Sequence, residues 1–236
     1  MSISGVGPYD RADEWLDVLV RLPAFVWPTA TRLVIVSPHP DDETFGAGGL
    51  MSAALDRGLN VSVVSVTNGE AAYSHPNLAQ VRQAELRIAL ERMADGRSFE
   101  HVLLQLPDGA VAQHLGSLET ALHTYFRHDD AVFAPFDDDG HPDHTATAQA
   151  TMAAAQKKGA TVRLFPIWAY RYQSPEHSVI AKGQALYLSS RLQEKKVHAV
   201  TAYASQLEPS HPVVPASLVD CLCGPFECFV DPAVIS

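Results

Sequence analysis

Between residues 31 and about 170, short apolar runs alternate with helix-patterned segments, and this alternation limits the possible folds more than any other feature. The apolar runs predict five strands: Thr31–Ser37, Val61–Thr67, His101–Leu104, Ala131–Ala134 and Val162–Trp168. The remaining patterned segments predict five helices: Gly46–Asp56, Leu78–Ala94, Leu115–Phe126, Asp143–Lys158 and Ser189–Ala204. Because strands that alternate with helices pair in parallel, we expect an α/β fold with a Rossmann-like, mostly parallel sheet and helices on both faces.

The length of the chain bounds its domain organisation. At 236 residues, it is long enough for one well-buried α/β domain and short for two. No internal repeat or low-complexity linker divides the sequence. We therefore expect a single domain over residues 1–236, with an N-terminal extension (1–30), a core (31–206) and a C-terminal segment (207–236).

Charge and composition restrict the partners and the compartment. The chain has 17 Lys and Arg residues against 27 Asp and Glu residues, and the formal charge of −10 argues against nucleic acid as a partner. The N-terminal segment lacks a signal-peptide pattern, and no apolar run is long enough for a membrane span, so the expected location is cytoplasmic. The chain has three cysteines, Cys221, Cys223 and Cys228. Because an odd number does not form a disulfide framework, we expect them to have packing roles in a reducing compartment.

Two polar clusters follow predicted strands. The first, "SPHPDDE" from Ser37 to Glu43, comes directly after the first strand. The second, "PFDDDGHPDH" from Pro135 to His144, comes after the fourth strand. Because the carboxyl ends of parallel strands lie at one edge of the sheet, we expect the two clusters to meet there.

The residue types in these clusters favour a catalytic metal site. Prolines at positions 38 and 40 stiffen the first turn, which can point His39 and one of the following aspartates in the same direction. The His141-x-x-His144 pair can supply a third ligand. Two histidines, one carboxylate and an open position for water form a catalytic zinc site. The remaining carboxylate and histidine would then serve as general base and oxyanion stabiliser.

Each cluster also has a purely structural interpretation. Asp41 or Asp42 could cap the helix that follows, and His39 could be a satisfied loop histidine. His141 and His144 could form a surface pair at the start of an alanine-rich helix. The glycines in "GAGG" do not fit the dinucleotide-binding fingerprint, and acids stand where phosphate needs bare amides, so we expect these glycines to allow close helix packing.

Six motifs together resemble the PIG-L/LmbE family of zinc-dependent N-deacetylases over residues 31–206. In chain order they are "SPHPDDETFGAGG", "TNGEA", "RQAEL", "LPDG", "GHPDH" and "AYASQ". The resemblance implies a hydrolase acting on linear amide C–N bonds. Its expected substrate is an N-acylated, and specifically N-acetylated, amino-sugar-containing small molecule.

The resemblance also implies roles for individual residues. The implied zinc ligands are His39, Asp42 and His144, although iron(II) or another divalent metal suits the same ligand types. Asp41 would be the general base that accepts a proton from the metal-activated water. His141, in its protonated form, would stabilise the oxyanion, with Asp143 orienting its ring.

Two further positions match substrate-contacting residues of that family. Arg82 would contact the substrate; its alternative is a solvated helix arginine paired with Glu85. Asp108 would hold sugar hydroxyls; by composition alone, the "LPDG" segment is a turn.

The sequence departs from some members of that family at one position. Some members have a tyrosine two residues before the first histidine of the His-x-x-His motif, where it helps to hold the oxyanion, and this sequence has Asp139 there. Either Tyr73 or Tyr170 supplies that contribution, or it is missing. Two alternatives to a deacetylase stay open: an amidase acting on a larger conjugate, such as a thiol adduct or an antibiotic, and a non-catalytic sugar- or nucleotide-binding module. A homo-oligomer is compatible with the sequence.

Overall fold

A five-stranded parallel sheet forms the centre of the molecule, as the sequence predicts. The computed structural model describes residues 12–208 and 212–235. The strands are β1 (Arg32–Ser37), β2 (Asn60–Thr67), β3 (Glu100–Leu106), β4 (Asp130–Pro135) and β5 (Thr161–Phe165). Their order is β3-β2-β1-β4-β5, and every neighbouring pair is parallel. The chain therefore reverses its direction of travel across the sheet between β1 and β4, where a ligand crevice is expected beyond the strand ends.

Helices surround this sheet in two groups. The helices are α1 (Ala12–Leu19), α2 (Asp42–Asp56), α3 (Leu78–Ala94), α4 (Leu115–Tyr125), α5 (Pro142–Lys158), α6 (Ala169–Tyr172), α7 (Ser190–Val200), α8 (Ala204–Leu207) and α9 (Ala216–Leu222). Helices α2 and α3 pack with α7, whereas α4 packs with α5, as expected for the two faces of a parallel sheet. β1 and β4 are buried along their whole length, which explains their unbroken apolar pattern.

Three predicted boundaries are wrong by three or more residues, for local reasons. β5 ends at Phe165 and not at Trp168, because Pro166 has no N–H to continue the ladder. α7 ends at Val200, where a turn separates it from the one-turn helix α8. α2 begins at Asp42 and not at Gly46, so the acids of the first cluster form its first turn.

α2 is interrupted near its start by a residue with non-helical geometry. Ala47 has φ −143° and ψ 18°, which breaks the helical hydrogen bonding. The carboxylate of Glu227 accepts the N–H groups of Gly49 and Leu50 at 2.6 and 2.7 Å, and thus caps the second part of the helix. The ammonium of Lys196 donates to Phe45 O at 2.6 Å and to the Glu227 carboxylate at 2.8 Å. A buried ion pair therefore satisfies both sides of the break.

The glycines of α2 allow close packing, which confirms their predicted role. A Cβ at Gly46 would lie 2.1 Å from the ring of Phe165, and one at Gly49 would lie 2.4 Å from the side chain of Leu188. No larger residue fits at either position without displacing a neighbour.

The segments outside the predicted core pack against it. A second sheet, which the sequence analysis missed, pairs β6 (Gln184–Tyr187) antiparallel with β7 (Phe226–Phe229). In the N-terminal extension, whose residues 1–11 lie outside the described part, Trp15 is buried and donates through Nε1 to Tyr170 O at 2.8 Å. Cys228 is buried, and burial raises the pKa of its thiol to about 12, as expected for a packing residue.

Within residues 12–208 and 212–235, no helix combines the length and the apolar character needed to span a membrane.

Candidate metal centre

Two turns at the carboxyl edge of the sheet bring the two polar clusters together. The first turn (residues 37–45) connects β1 to α2, and the second turn (residues 136–144) connects β4 to α5. The ring centroids of His39 and His144 lie 5.4 Å apart, and those of His39 and His141 lie 4.7 Å apart. β1 and β4 are neighbours in the sheet, so residues about 100 positions apart in the sequence become adjacent.

Asp42 lies between the two turns. Its Oδ2 is 3.1 Å from Nδ1 of His39 and 3.3 Å from Nε2 of His144, and it also accepts the backbone N–H of His39 at 3.0 Å. The geometry towards Nε2 of His144 is not that of a hydrogen bond, so this fully buried nitrogen has no hydrogen-bond partner. Because buried polar atoms are normally satisfied, this nitrogen points to a missing ligand.

A buried carboxylate fixes the ring of His144. Oδ2 of Asp139 accepts from Nδ1 of His144 at 2.7 Å, which directs the lone pair of a neutral ring to Nε2. Oδ1 of Asp139 accepts the N–H groups of Ile167 and Ala169, both at 2.9 Å. This role of Asp139 was not predicted from the sequence. The available signal was an acid five residues before a predicted ligand histidine, within a run of three aspartates.

Asp143 and Asp108 line the other side of His39. Oδ2 of Asp143 and Oδ1 of Asp108 lie 3.4 and 3.2 Å from Nε2 of His39. The Asp143 carboxylate accepts the N–H groups of Gly109 and Val111 at 2.7 and 3.1 Å. Its backbone N–H donates to Nδ1 of His141 at 3.2 Å. The link from Asp143 to the His141 ring therefore runs through the backbone, whereas the carboxylate holds the loop after β3.

Asp41 occupies a strained position in the first turn. It has φ 153° and ψ −30°, a conformation that costs an L-residue about 1–3 kcal/mol. Its N–H donates to Oε2 of Glu43 at 3.2 Å, and the carboxylate of Glu43 accepts in turn from the hydroxyl of Tyr203 at 2.7 Å. Asp41 stands at the N-cap of α2, but its side chain makes no capping hydrogen bond, so the capping interpretation is wrong for this residue.

Arg82 holds the first turn from α3. Its guanidinium donates to Gly69 O at 3.0 Å and to Pro40 O at 3.2 Å, and Nη2 lies 3.2 Å from Oδ2 of Asp41. The arginine is 3% exposed, and Glu85 instead accepts from Ser205. The alternative of a solvated arginine paired with Glu85 is therefore wrong.

The electrostatics of the cluster favour positive charge. Burial lowers the pKa of His144, but the carboxylates of Asp42 and Asp139 outweigh it and raise the pKa to about 9. Burial also disfavours the charged form of His39. The nearby carboxylates outweigh this effect and raise the pKa of His39. Since the same field attracts a divalent cation, and since His144 Nε2 has no partner, the donor set fits a metal ion.

His141 behaves differently from the other two histidines. Burial, together with the nearby His39 and His144 rings, lowers the pKa of His141 to about 4. While the two neighbouring imidazoles carry positive charge, this shift disfavours the protonated His141 ring that the resemblance implies, and the role of His141 stays a prediction. The interpretation of His141 and His144 as a surface pair is also wrong, because His144 is fully buried and His141 is half-buried.

A cavity of about 300 Å³ opens over the cluster. The predicted residues that line it are His39, Asp41, Asp42, Arg82, Asp108 and His141. No tyrosine is among the described residues that line the cavity. Neither Tyr73 nor Tyr170 therefore takes the place of the oxyanion-holding tyrosine that some PIG-L/LmbE proteins have at the position of Asp139. Donor atoms of His39, His141 and His144 lie within 4.8 Å of one another, as do those of His39, Asp108 and Asp143. Each group offers three candidate ligand atoms for a metal ion, and neither group includes Asp42.

Residues 34–155 match the PIG-L family, described as GlcNAc-PI de-N-acetylase. The 1D-myo-inositol 2-acetamido-2-deoxy-alpha-D-glucopyranoside deacetylase 1 of Saccharopolyspora erythraea is 30% identical over 191 residues, which cover 65% of this chain and 61% of that protein. The chain spans between 50% and 61% of the length of the first four curated relatives that it matches.

Solved structures share the fold. A conserved protein of Thermus thermophilus is 26% identical, with a TM-score of 0.65 over 86% of this chain and 95% of that one. The N,N'-diacetylchitobiose deacetylase of Pyrococcus horikoshii is 18% identical, with a TM-score of 0.64 over 99% of this chain and 96% of that one. The second similarity, at this identity, shows the fold alone.

Proposed function

The chain belongs to the PIG-L family, and on this premise we propose that it is a metal-dependent hydrolase that removes an N-acyl group, specifically N-acetyl, from an amino-sugar-containing small molecule. The observation that carries the proposal is the convergence of two distant turns on one buried cluster. There, Asp42 lies between His39 and His144, and Nε2 of His144 has no hydrogen-bond partner. Relatives named as deacetylases of an acetamido sugar support the same reaction.

The residues proposed to hold the metal are His39, Asp42 and His144, and the proposed ion is zinc. Two imidazoles and one carboxylate are the ligands of many catalytic zinc sites, and Asp139 would orient His144 as an outer carboxylate. When bound, such an ion supplies a Lewis acid that acidifies water and polarises an amide carbonyl.

Asp41 is the proposed general base. Its carboxylate lines the cavity and is held beside Arg82, so it can accept a proton from water as the oxygen attacks the amide carbon. The same carboxylate then returns a proton to the departing amine nitrogen. The products are a free amine and a carboxylate.

His141 is the proposed oxyanion stabiliser, acting as a neutral ring. Because its Nδ1 accepts the backbone N–H of Asp143, the neutral ring carries its proton on Nε2. This N–H is the donor available to the tetrahedral oxyanion in the cavity that His141 lines. Asp143 would thus set the tautomer of His141 through its backbone, while Arg82 and Asp108 line the same cavity as proposed substrate contacts.

The test combines acetate release from N-acetylglucosamine glycosides with metal analysis. We expect chelation to abolish activity and zinc to restore it. Asp41→Asn should retain the metal but lose about 10²–10⁴-fold in kcat, the usual contribution of acid–base catalysis. His144→Ala should lose both metal and activity. The matched controls Asp17→Asn and His128→Ala change exposed residues and should behave as the wild type.

Two outcomes would contradict parts of the proposal. Wild-type turnover by Asp41→Asn would remove the assignment of the base. Binding of zinc and of glycosides without any acetate release by the wild type would favour the non-catalytic sugar-binding module.

An amidase acting on a larger conjugate is the second candidate. The observation that favours it is a second cavity of about 1020 Å³ that shares Ala72 and Val213 with the first. Release of a longer acyl group in preference to acetate, measured on matched N-acyl glucosamine glycosides, would select this candidate.

A further inference from the structure

One aromatic residue lies among those that line the cavity over the metal cluster. Trp168 is half-buried, and among the described residues that line the cavity it is the one with an indole, phenyl or phenol ring. The chemistry proposed at the cluster uses carboxylates and imidazoles, and it gives this indole no role. A partly exposed indole beside charged side chains therefore needs an explanation of its own.

The position of Trp168 is fixed by the same carboxylate that orients His144. Oδ2 of Asp139 accepts from Nδ1 of His144 at 2.7 Å and from the backbone N–H of Trp168 at 3.1 Å. Oδ1 of Asp139 accepts the N–H groups of Ile167 and Ala169, both at 2.9 Å. The backbone of Trp168 is therefore held in a set place relative to a proposed metal ligand, as a residue that positions a substrate there requires.

Tyr172 packs against one face of the indole. The two rings are nearly parallel, with an interplanar angle of 19° and centroids 6.3 Å apart. The ring of Tyr172 also packs on the second turn, where a Cβ at Gly140 would lie 3.1 Å from it. Because Tyr172 takes one face of the indole, the opposite face is the one left for a ligand.

The cavity combines the two kinds of surface that match a sugar ring. A pyranose carries hydroxyl groups around its rim and C–H groups on its faces. The polar side chains that line the cavity, which include Arg82, Asp108 and Gln206, suit the hydroxyl rim. An aromatic ring offers a flat apolar surface, so the indole of Trp168 suits a C–H face.

We infer that the indole of Trp168 stacks on the sugar ring of the substrate while the N-acyl group of that sugar lies at the metal cluster. This inference rests on the proposed deacylation, because it names the residue that recognises the ring at that same site. The stacked face of the sugar does not react, so the contact is made equally before and in the transition state. Its loss should therefore raise KM and leave kcat almost unchanged.

The kinetic test uses acetate release from methyl N-acetyl-β-glucosaminide. Trp168→Ala should raise KM by about tenfold and change kcat by less than about twofold, because a stacking contact is lost away from the reacting atoms. Trp168→Phe should recover part of the loss in KM, since a phenyl ring also stacks. A fall in kcat and zinc content with KM unchanged would show that Trp168 acts through the cluster, and would overturn the inference.

Trp27 provides the matched control. It is also half-buried, but its ring packs under the guanidinium of Arg57, 4.1 Å from the ring centroid, and it is not among the described residues that line the cavity. Trp27→Ala should therefore leave KM at the wild-type value. An equal rise in KM for Trp27→Ala and Trp168→Ala would assign the effect to the fold and overturn the inference.

Tryptophan fluorescence reports the contact directly. The chain has three tryptophans, and the difference between Asp41→Asn and Asp41→Asn/Trp168→Phe, both loaded with zinc, isolates the emission of Trp168 without turnover. Methyl N-acetyl-β-glucosaminide and methyl β-glucosaminide should both change this emission, whereas acetate should not. A response to acetate alone would assign the indole to the acyl group and overturn the inference.

The two measurements separate this inference from the proposed function. If the wild type releases acetate but Trp168 affects neither KM nor the emission change, the stacking fails and the deacylation stands. If the wild type hydrolyses no glycoside but both glycosides change the emission of Trp168, the deacylation fails and the stacking stands. If the glycosides are neither bound nor hydrolysed, both fail.

Discussion

The two turns that form the metal cluster are held in place by different parts of the chain. The second turn depends on backbone that packs beside it: Asp139 accepts N–H groups of residues 167–169, and Asp143 accepts those of Gly109 and Val111. The first turn depends on side chains from α3 and from the C-terminal region, which include Tyr203 and the Lys196–Glu227 pair. Residues 196, 203 and 227 lie outside the segment 34–155 that matches the family. The segment that matches the family is therefore completed by a later part of the chain, in which Tyr203 lies within "AYASQ", the last of the six motifs.

The largest effect is expected where the remote support of the first turn is charged. Glu227→Gln would leave the buried ammonium of Lys196 without its counter-ion and weaken the cap on Gly49 and Leu50. Breaking one partner of a buried ion pair costs about 3–5 kcal/mol, so we expect a loss of this size in the free energy of unfolding. Urea denaturation followed by circular dichroism measures it.

The control for this prediction is an exposed ion pair. Arg87 and Glu91 form such a pair on α3, and Glu91→Gln should change stability by less than about 1 kcal/mol. If Glu227→Gln does not fold, the double variant Lys196→Met/Glu227→Gln keeps the test open, because removing both charges should recover part of the loss. A Glu227→Gln protein as stable as Glu91→Gln would show that the helix break does not need the ion pair.

A substitution in the second turn should lower the affinity for the metal rather than the stability of the whole protein. Asp139→Asn keeps the size of the side chain but removes the charge that faces Nδ1 of His144. Loss of such an outer carboxylate typically lowers metal affinity by about 10–100-fold. Competition for zinc with a chromogenic chelator measures this affinity. The adjacent, exposed Asp138 provides the control variant Asp138→Asn, and equal affinities in the two variants would contradict the role of Asp139.

The sequence predicts the features that depend on local pattern. Strand and helix periodicity predict the five strands and their alternation with helices along the chain, because each element carries its own apolar spacing. The His and Asp residues of both turns are predictable because the carboxyl ends of parallel strands share one edge. The partners of those residues are not, because Glu43 and Tyr203 are 160 positions apart and neither carries a local signal for the other. β6 and β7 were missed for a similar reason: each has four residues and gains its stability from pairing with the other.

The smallest effect is expected from the most distant contact of the first turn. Tyr203→Phe removes one hydroxyl that donates to Glu43, whose other oxygen accepts the N–H of the strained Asp41. A buried hydrogen bond contributes about 1 kcal/mol. If this energy positions the base, its loss corresponds to a several-fold change in kcat. We therefore expect a several-fold lower kcat with KM and zinc content unchanged, measured by acetate release and metal analysis.

A purely structural role for this hydroxyl makes a different prediction. It would lower stability by a similar amount but leave kcat at the wild-type value. Tyr125→Phe provides the matched control, because its hydroxyl donates to Glu100 at the exposed start of β3 and touches neither turn. If Tyr203→Phe and Tyr125→Phe lose the same stability and neither loses kcat, Tyr203 supports the fold of the first turn without positioning Asp41. A fall in kcat confined to Tyr203→Phe would show that the C-terminal region sets the geometry of the proposed base, 162 residues away along the chain.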